Sequence, residues 1–102
     1  MGSNTDVVID EKIKQKITFP STYHVILLND DTTPIEWVID ILASVFKHSN
    51  QSAEAITLKI HNEGSAIVGT YQYEIAEQKA IETTNLSREK GFPLQVKVEE
   101  NT

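Results

Sequence analysis

The sequence predicts a single α+β domain, a two-layer sandwich with elements in the order β-α-α-β-α-β and a small antiparallel sheet. Three observations predict it. Runs rich in β-branched and aromatic residues, each of strand length, occur near the start, middle and end of the chain. Between them lie three longer segments with helical spacing or helical composition. Capping residues, glycines and prolines fall at the junctions.

Residues 22–28, TYHVILL, form the first run and read as a buried strand. The polar cluster Asn29-Asp30-Asp31-Thr32-Thr33-Pro34 stops it. Thr33, Pro34 and Glu36 match a capping box with proline at the first helical position, so a helix is expected over about 34–47. Ile35, Val38, Leu42, Val45 and Phe46 form its apolar stripe, which Trp37, Ile39 and Ile41 widen beyond one core face. A polar break, His48-Ser49-Asn50-Gln51, precedes a second helix of about 50–62, capped by Ser49 or Asn50 and ended by Gly64. Ser65 to Tyr73 reads as a strand, Glu74 to Lys90 as a long polar helix closed by Gly91 and Pro93. Residues 94–98 alternate strictly, as a half-buried strand does. Residues 1–21 differ from all of this. Ile9, Ile13 and Ile17 recur at spacing four, but so short a stripe is marginal as an isolated helix, and a mobile extension ahead of a folded domain at 22–99 is expected.

Composition narrows the function. At 102 residues the chain makes one domain with one modest core. The net charge of −6 argues against nucleic acid, whose phosphates need a basic footprint, and suits a cationic partner. Without cysteine there is no disulfide, thiolate zinc site or cysteine nucleophile. No apolar run of about 18 residues exists, and the N-terminus lacks the layout of a signal peptide, so a cytoplasmic protein with no membrane partner is expected. Met1-Gly2 is followed by Asp6 where a myristoylation signal wants Ser or Thr, and the sequons at Asn50 and Asn85 matter only in a secreted chain.

Three groups are candidates for chemistry. The acidic loop Asn29-Asp30-Asp31 is either a local turn before a helix or a set of oxygens converging on a metal or an ammonium group. His61 lies one turn after Thr57 near the end of the second helix, either as a bystander or as part of the same site; His24 and His48 read as structural. The surplus apolar surface of the first helix either packs the core or lines a groove. No G-x-S-x-G, H-E-x-x-H, P-loop or G-x-G-x-x-G motif is present, so catalysis is not expected.

The segment Tyr23 to Leu42, YHVILLNDDTTPIEWVIDIL, resembles the signature of the ClpS family of N-end-rule adaptors. The similarity runs on through Ile60-His61, Ala66 to Lys79, and Pro93-Leu94, covering residues 22–98. The resemblance implies three helices on a three-stranded antiparallel sheet, similar to the C-terminal domain of the ribosomal stalk protein. It also implies an adaptor, without cofactor or metal and monomeric. Such an adaptor grips substrates that begin with Leu, Phe, Tyr or Trp and delivers them to a Clp-type AAA+ unfoldase of the ClpA or ClpC kind, docking on its N-terminal domain. Carried over by position, Asn29, Asp30, Asp31 and His61 would hold the substrate's α-amino group. Thr33, Ile35, Val38, Thr57, Ile60 and Leu94 would surround its first side chain, and Glu74 and Lys79 would face the unfoldase. Family members commonly carry methionine where this chain has Ile35 and Thr57, which bears on the residues accepted. Two alternatives remain at this point: a stalk-like docking module of the same fold without N-degron binding, and a metal-dependent hydrolase built on Asp30, Asp31 and His61.

Overall fold

The computed structural model describes residues 21–102, and the expected N-terminal extension lies almost wholly outside them. The order is β1 (Thr22–Leu28), α1 (Ile35–Ser44), α2 (Asn50–Glu63), β2 (Ser65–Gln72), α3 (Tyr73–Glu89) and β3 (Gln95–Glu100). The strands form one antiparallel sheet in the order β2-β1-β3, as the α+β reading requires.

Strand β1 sits at the centre because it is the most apolar of the three. Its inward residues Val25 and Leu27 are 0% exposed. They pair across to Val98 and Val96 on β3, and Leu27 also to Ala66 on β2. The helices cover this face, with Val38, Ile41 and Leu42 of α1 and Ala53 and Ile60 of α2 completing the core. The other face carries His24, Ile26 and Leu28 beside Ile67, Thr70, Lys97 and Glu99, held by a His24–Thr70 hydrogen bond of 2.8 Å. The register slips once: Val25 opposes Gly69 but Ile26 opposes Ile67, so Val68 is the extra residue of a β-bulge. His48, in the interhelical turn, bonds that bulge through Nε2 to the Val68 carbonyl at 2.7 Å. A carbonyl only accepts, so Nε2 carries the proton and Nδ1 is free to accept from Ser52 Oγ at 3.2 Å.

Helix α2 follows its local signals. Ser49 Oγ accepts from the Ser52 amide, and Gly64 ends the helix in the left-handed region at φ 94°. Helix α1 departs from its own at both ends. Pro34 is the N-cap and not the first helical residue, and no side chain caps the helix. The Thr33–Glu36 capping box does not form, since the N-cap falls one residue later, at Pro34, and the Thr33 hydroxyl turns back to donate to Asp30 Oδ2 at 2.7 Å. At the other end the helix stops at Ser44, short of the expected 47, since Lys47 turns the chain with φ 63°. Val45 and Phe46 are nonetheless buried, so the apolar stripe outlasts the helix. Helix α3 begins one residue early, at Tyr73, and β3 runs two residues past the expected end because it pairs along β1 as far as Tyr23↔Glu100.

Helix α3 is clamped by polar contacts. Trp37 Nε1 donates to Ser87 Oγ at 2.9 Å, and the indole meets Phe92 edge-on with centroids 5.6 Å apart. Arg88 donates to the carbonyls of Phe92 and Leu94, which fixes the α3–β3 connection and seats Leu94 in the core. Lys79 donates to the Val45 carbonyl at 2.8 Å. Among the described residues no helix is long and apolar enough to cross a membrane.

Candidate functional site

The acidic loop and the end of α2 are far apart in sequence and adjacent in space. The last β1–β2 pair is Leu28↔Ser65, and the next backbone bond runs from the Asn29 amide to the Gly64 carbonyl at 2.8 Å. Gly64 is the C-cap of α2, and His61 lies in that helix's last turn, so the start of the loop is tied to the same helix end that carries His61. The partial negative charge of the helix C-terminus adds to the anionic character of this corner.

The three loop residues are used differently. Asp30 is spent on the loop itself: Oδ1 accepts from the amides of Thr32 at 2.8 Å and Thr33 at 2.7 Å, and Oδ2 accepts from the Thr33 hydroxyl. Burial alone would raise its pKa, but the bonds from Thr33 and Thr32, with the charge of Arg88, together hold it below the ordinary carboxylate value. Asn29 and Asp31 are exposed, and among the described residues their side chains make no hydrogen bond. Their oxygens and the His61 ring are therefore open to a ligand.

Beside this polar corner lies an apolar cavity of about 230 Å³ between α1 and α2, lined by Ile35, Ile39, Glu54, Thr57, Leu58 and His61. Ile35 and Leu58 stand 51% and 60% exposed at its rim, so the apolar hollow is open to solvent between them. Thr57 forms the floor at 5% exposure, with its hydroxyl oxygen buried and unpartnered.

Of the side-chain pocket expected from sequence, Ile35 and Thr57 line the cavity, together with His61 from the expected ammonium set. Val38, Ile60 and Leu94 are buried in the core and lie outside the lining of the cavity, and Thr33 is tied to Asp30. Glu54 and Leu58 escaped sequence reasoning, and Ile39 enters it only as part of the surplus apolar surface of the first helix that either packs the core or lines a groove. A signal existed: Ile39 is one turn beyond Ile35, and Glu54, Leu58 and His61 recur at helical spacing around Thr57.

Glu74 and Lys79 separate. Glu74 is exposed in the first turn of α3, in a different cleft with Ser21, Tyr23, Gln72 and Tyr73. Lys79 is half-buried, with its ammonium 5.4 Å from the Tyr71 ring centroid and 6.0 Å from that of Phe46, so much of it serves packing. Among the described residues no three His, Cys, Asp or Glu side chains are grouped to hold a metal. Asp30, Asp31 and His61 do not make the ligand set that a metal-dependent hydrolase would need.

Comparison with known proteins agrees with this architecture. The family model for the ATP-dependent Clp protease adaptor protein ClpS matches residues 18–97. The chain is 45% identical over 96 residues to the ATP-dependent Clp protease adapter protein ClpS of Nautilia profundicola, covering 94% of this chain and 97% of the relative. It is 44% identical over 87 residues to the ClpS of Treponema denticola, covering 85% and 86%. The solved structure of Agrobacterium tumefaciens ClpS2 bound to L-phenylalaninamide superimposes with a TM-score of 0.79 at 42% identity, covering 81% of this chain and all of that one. The chain therefore belongs to the ClpS family, the adaptors of ATP-dependent Clp proteases.

Proposed function

We propose that the chain grips the free N-terminus of substrate proteins that begin with a bulky hydrophobic residue, Leu, Phe, Tyr or Trp, and delivers them to a Clp-type AAA+ unfoldase. The observation that carries this is that His61 lines an apolar cavity and lies in the last turn of α2, whose Gly64 cap is bonded to Asn29 at the start of a loop with two unspent side chains, Asn29 and Asp31. An α-ammonium is a compact cation with three donors, and side-chain oxygens of Asn and Asp are its natural acceptors. The first side chain then enters the cavity between Ile35, Ile39 and Leu58. Asp30 acts from behind by holding the loop in shape.

The magnitudes suit a handover. Each charge-assisted hydrogen bond contributes ~1.5–3 kcal/mol. Burying a large apolar side chain adds ~1.5–3 kcal/mol. Association opposes these terms, and the remainder corresponds to roughly micromolar binding. The Agrobacterium tumefaciens relative, solved with an amino-acid amide that has a free α-amine and an aromatic side chain, supports the same chemistry here. For the unfoldase, exposed Glu74 is the better docking contact, since Lys79 is largely engaged with Val45.

The test is fluorescence anisotropy with labelled peptides that differ only at residue one. Acetylating a Phe-initiated peptide should weaken binding at least tenfold, about 1.4 kcal/mol. Equal affinity for the acetylated peptide would refute the proposal.

A further inference from the structure

Building on that reading, we infer that Thr57, assisted by Glu54, reads the polar tip of the first side chain, so that the cavity prefers tyrosine to phenylalanine. Four walls of the cavity say nothing about a polar tip: Ile35, Ile39 and Leu58 are apolar, and His61 stands at the ammonium end. The remaining two are Thr57 and Glu54.

Thr57 is 5% exposed, and its Oγ1 is sealed from water without a hydrogen-bond partner. Buried hydroxyls are normally paired, and each orphan in a native fold calls for an explanation. Thr83 Oγ1 in α3 is a second one among the described residues, but of the two only Thr57 lines this cavity. Threonine in a helix divides between two χ1 wells, so a single rotation moves the hydroxyl to a second position. An occupant with a polar tip gives that hydroxyl the partner it lacks. An occupant without one leaves it orphaned.

Position along the helix supplies the direction. Glu54 and His61 are two turns apart, about 10 Å along the axis of α2. With the ammonium held at the His61 end, a long first side chain runs past Thr57 toward Glu54. The tyrosine hydroxyl is both donor and acceptor, so it can pair with the Thr57 hydroxyl in either sense or donate to the Glu54 carboxylate as a charge-assisted bond. Phenylalanine has the same ring and neither option, which makes the Tyr/Phe pair the cleanest probe.

The experiment measures two otherwise identical peptides, one beginning with Tyr and one with Phe, against the full chain and three variants. Wild type should bind the Tyr peptide about fivefold or more tightly. Thr57→Val, which keeps the shape and removes the hydroxyl, should collapse the ratio toward one. Thr57→Ser, which keeps the hydroxyl, should retain the preference, and Glu54→Gln should reduce it in part. A wild-type ratio of one or less overturns the inference. So does a ratio that survives in Thr57→Val, which would mean that the hydroxyl bonds only its own helix, at the Ala53 carbonyl. If neither peptide binds wild type, or the acetylated forms bind equally well, N-terminus recognition itself fails and this inference with it.

Discussion

On the α3 side of the domain, several polar side chains are consumed by the fold, although the buried Thr83 hydroxyl has no partner. Trp37 is bonded to Ser87, Lys79 to the Val45 carbonyl, and Arg88 to two carbonyls of the α3–β3 connection. On the α1–α2 side the opposite holds. Among the described residues, the side chains of Asn29, Asp31, His61 and Thr57 have no hydrogen-bond partner, and Ile35 and Leu58 are left half-exposed beside them. Asp30 marks the border, since it sits in the open corner yet spends both oxygens on Thr32 and Thr33. Native folds pair most of their buried polar groups, while exposed ones such as Asn29, Asp31 and His61 stay available to a partner that displaces water. A face where several stay unpaired around an apolar hollow is a face shaped for another molecule, while the clamped face keeps that shape constant.

This contrast breaks if polar deletions on the two sides have the same effect. The largest expected change is on the clamped side. Trp37→Ala removes a half-buried indole and orphans the buried Ser87 hydroxyl, and should cost about 3 kcal/mol, the low end for large aromatic deletions. For a domain of this size that lowers the thermal midpoint by roughly 10 °C or more, read by thermal denaturation. Next come Asp31→Ala and His61→Ala. Each should weaken peptide binding about tenfold, while the midpoint moves only within the ~0.5 kcal/mol typical of surface substitutions. A His61→Ala protein that unfolds would place that residue on the clamped side and erase the distinction.

The smallest effect sharpens the border. Asp30→Asn weakens the loop bonds by a few tenths to ~1 kcal/mol at neutral pH. Its signature is in acid. The folded pKa of Asp30 lies below its ordinary value of 3.8, so its contribution is complete above that value and withdrawn as pH falls through the lowered one. Stability of the variant below pH 3.8 should fall less steeply than that of wild type in acid titrations followed by circular dichroism. Identical slopes would mean that Asp30 does not hold the loop.

Much of the fold was legible because helix ends are local chemistry. Ser49 and Gly64 bracket α2 as their side chains and backbone freedom dictate, and the apolar run of β1 lies at the centre of the sheet. The Thr33–Glu36 capping box misled because Thr33 is turned back toward Asp30, through its amide and its hydroxyl, and the helix is capped one residue later at Pro34. The bulge at Val68 and the seat of Lys79 on Val45 depend on partners from other elements, which spacing along the chain does not reveal. In the site, the loop and His61 were visible as residue types, and the resemblance to ClpS joined them. The cavity wall was only half legible. Ile39 and Leu58 follow from helical spacing, but which face of α1 and α2 stays open is decided by their packing against each other.

The bond between the Asn29 amide and the Gly64 carbonyl follows directly on the last pair of the β1–β2 ladder. The polar corner beside the cavity is thus a prolongation of the sheet, with the acidic loop tied to the end of α2. A ligand arriving there has few backbone dihedrals to order, so little conformational entropy is lost from the protein on association. Encounter should then be set by diffusion and charge, with single-exponential kinetics and no slow closing step after contact.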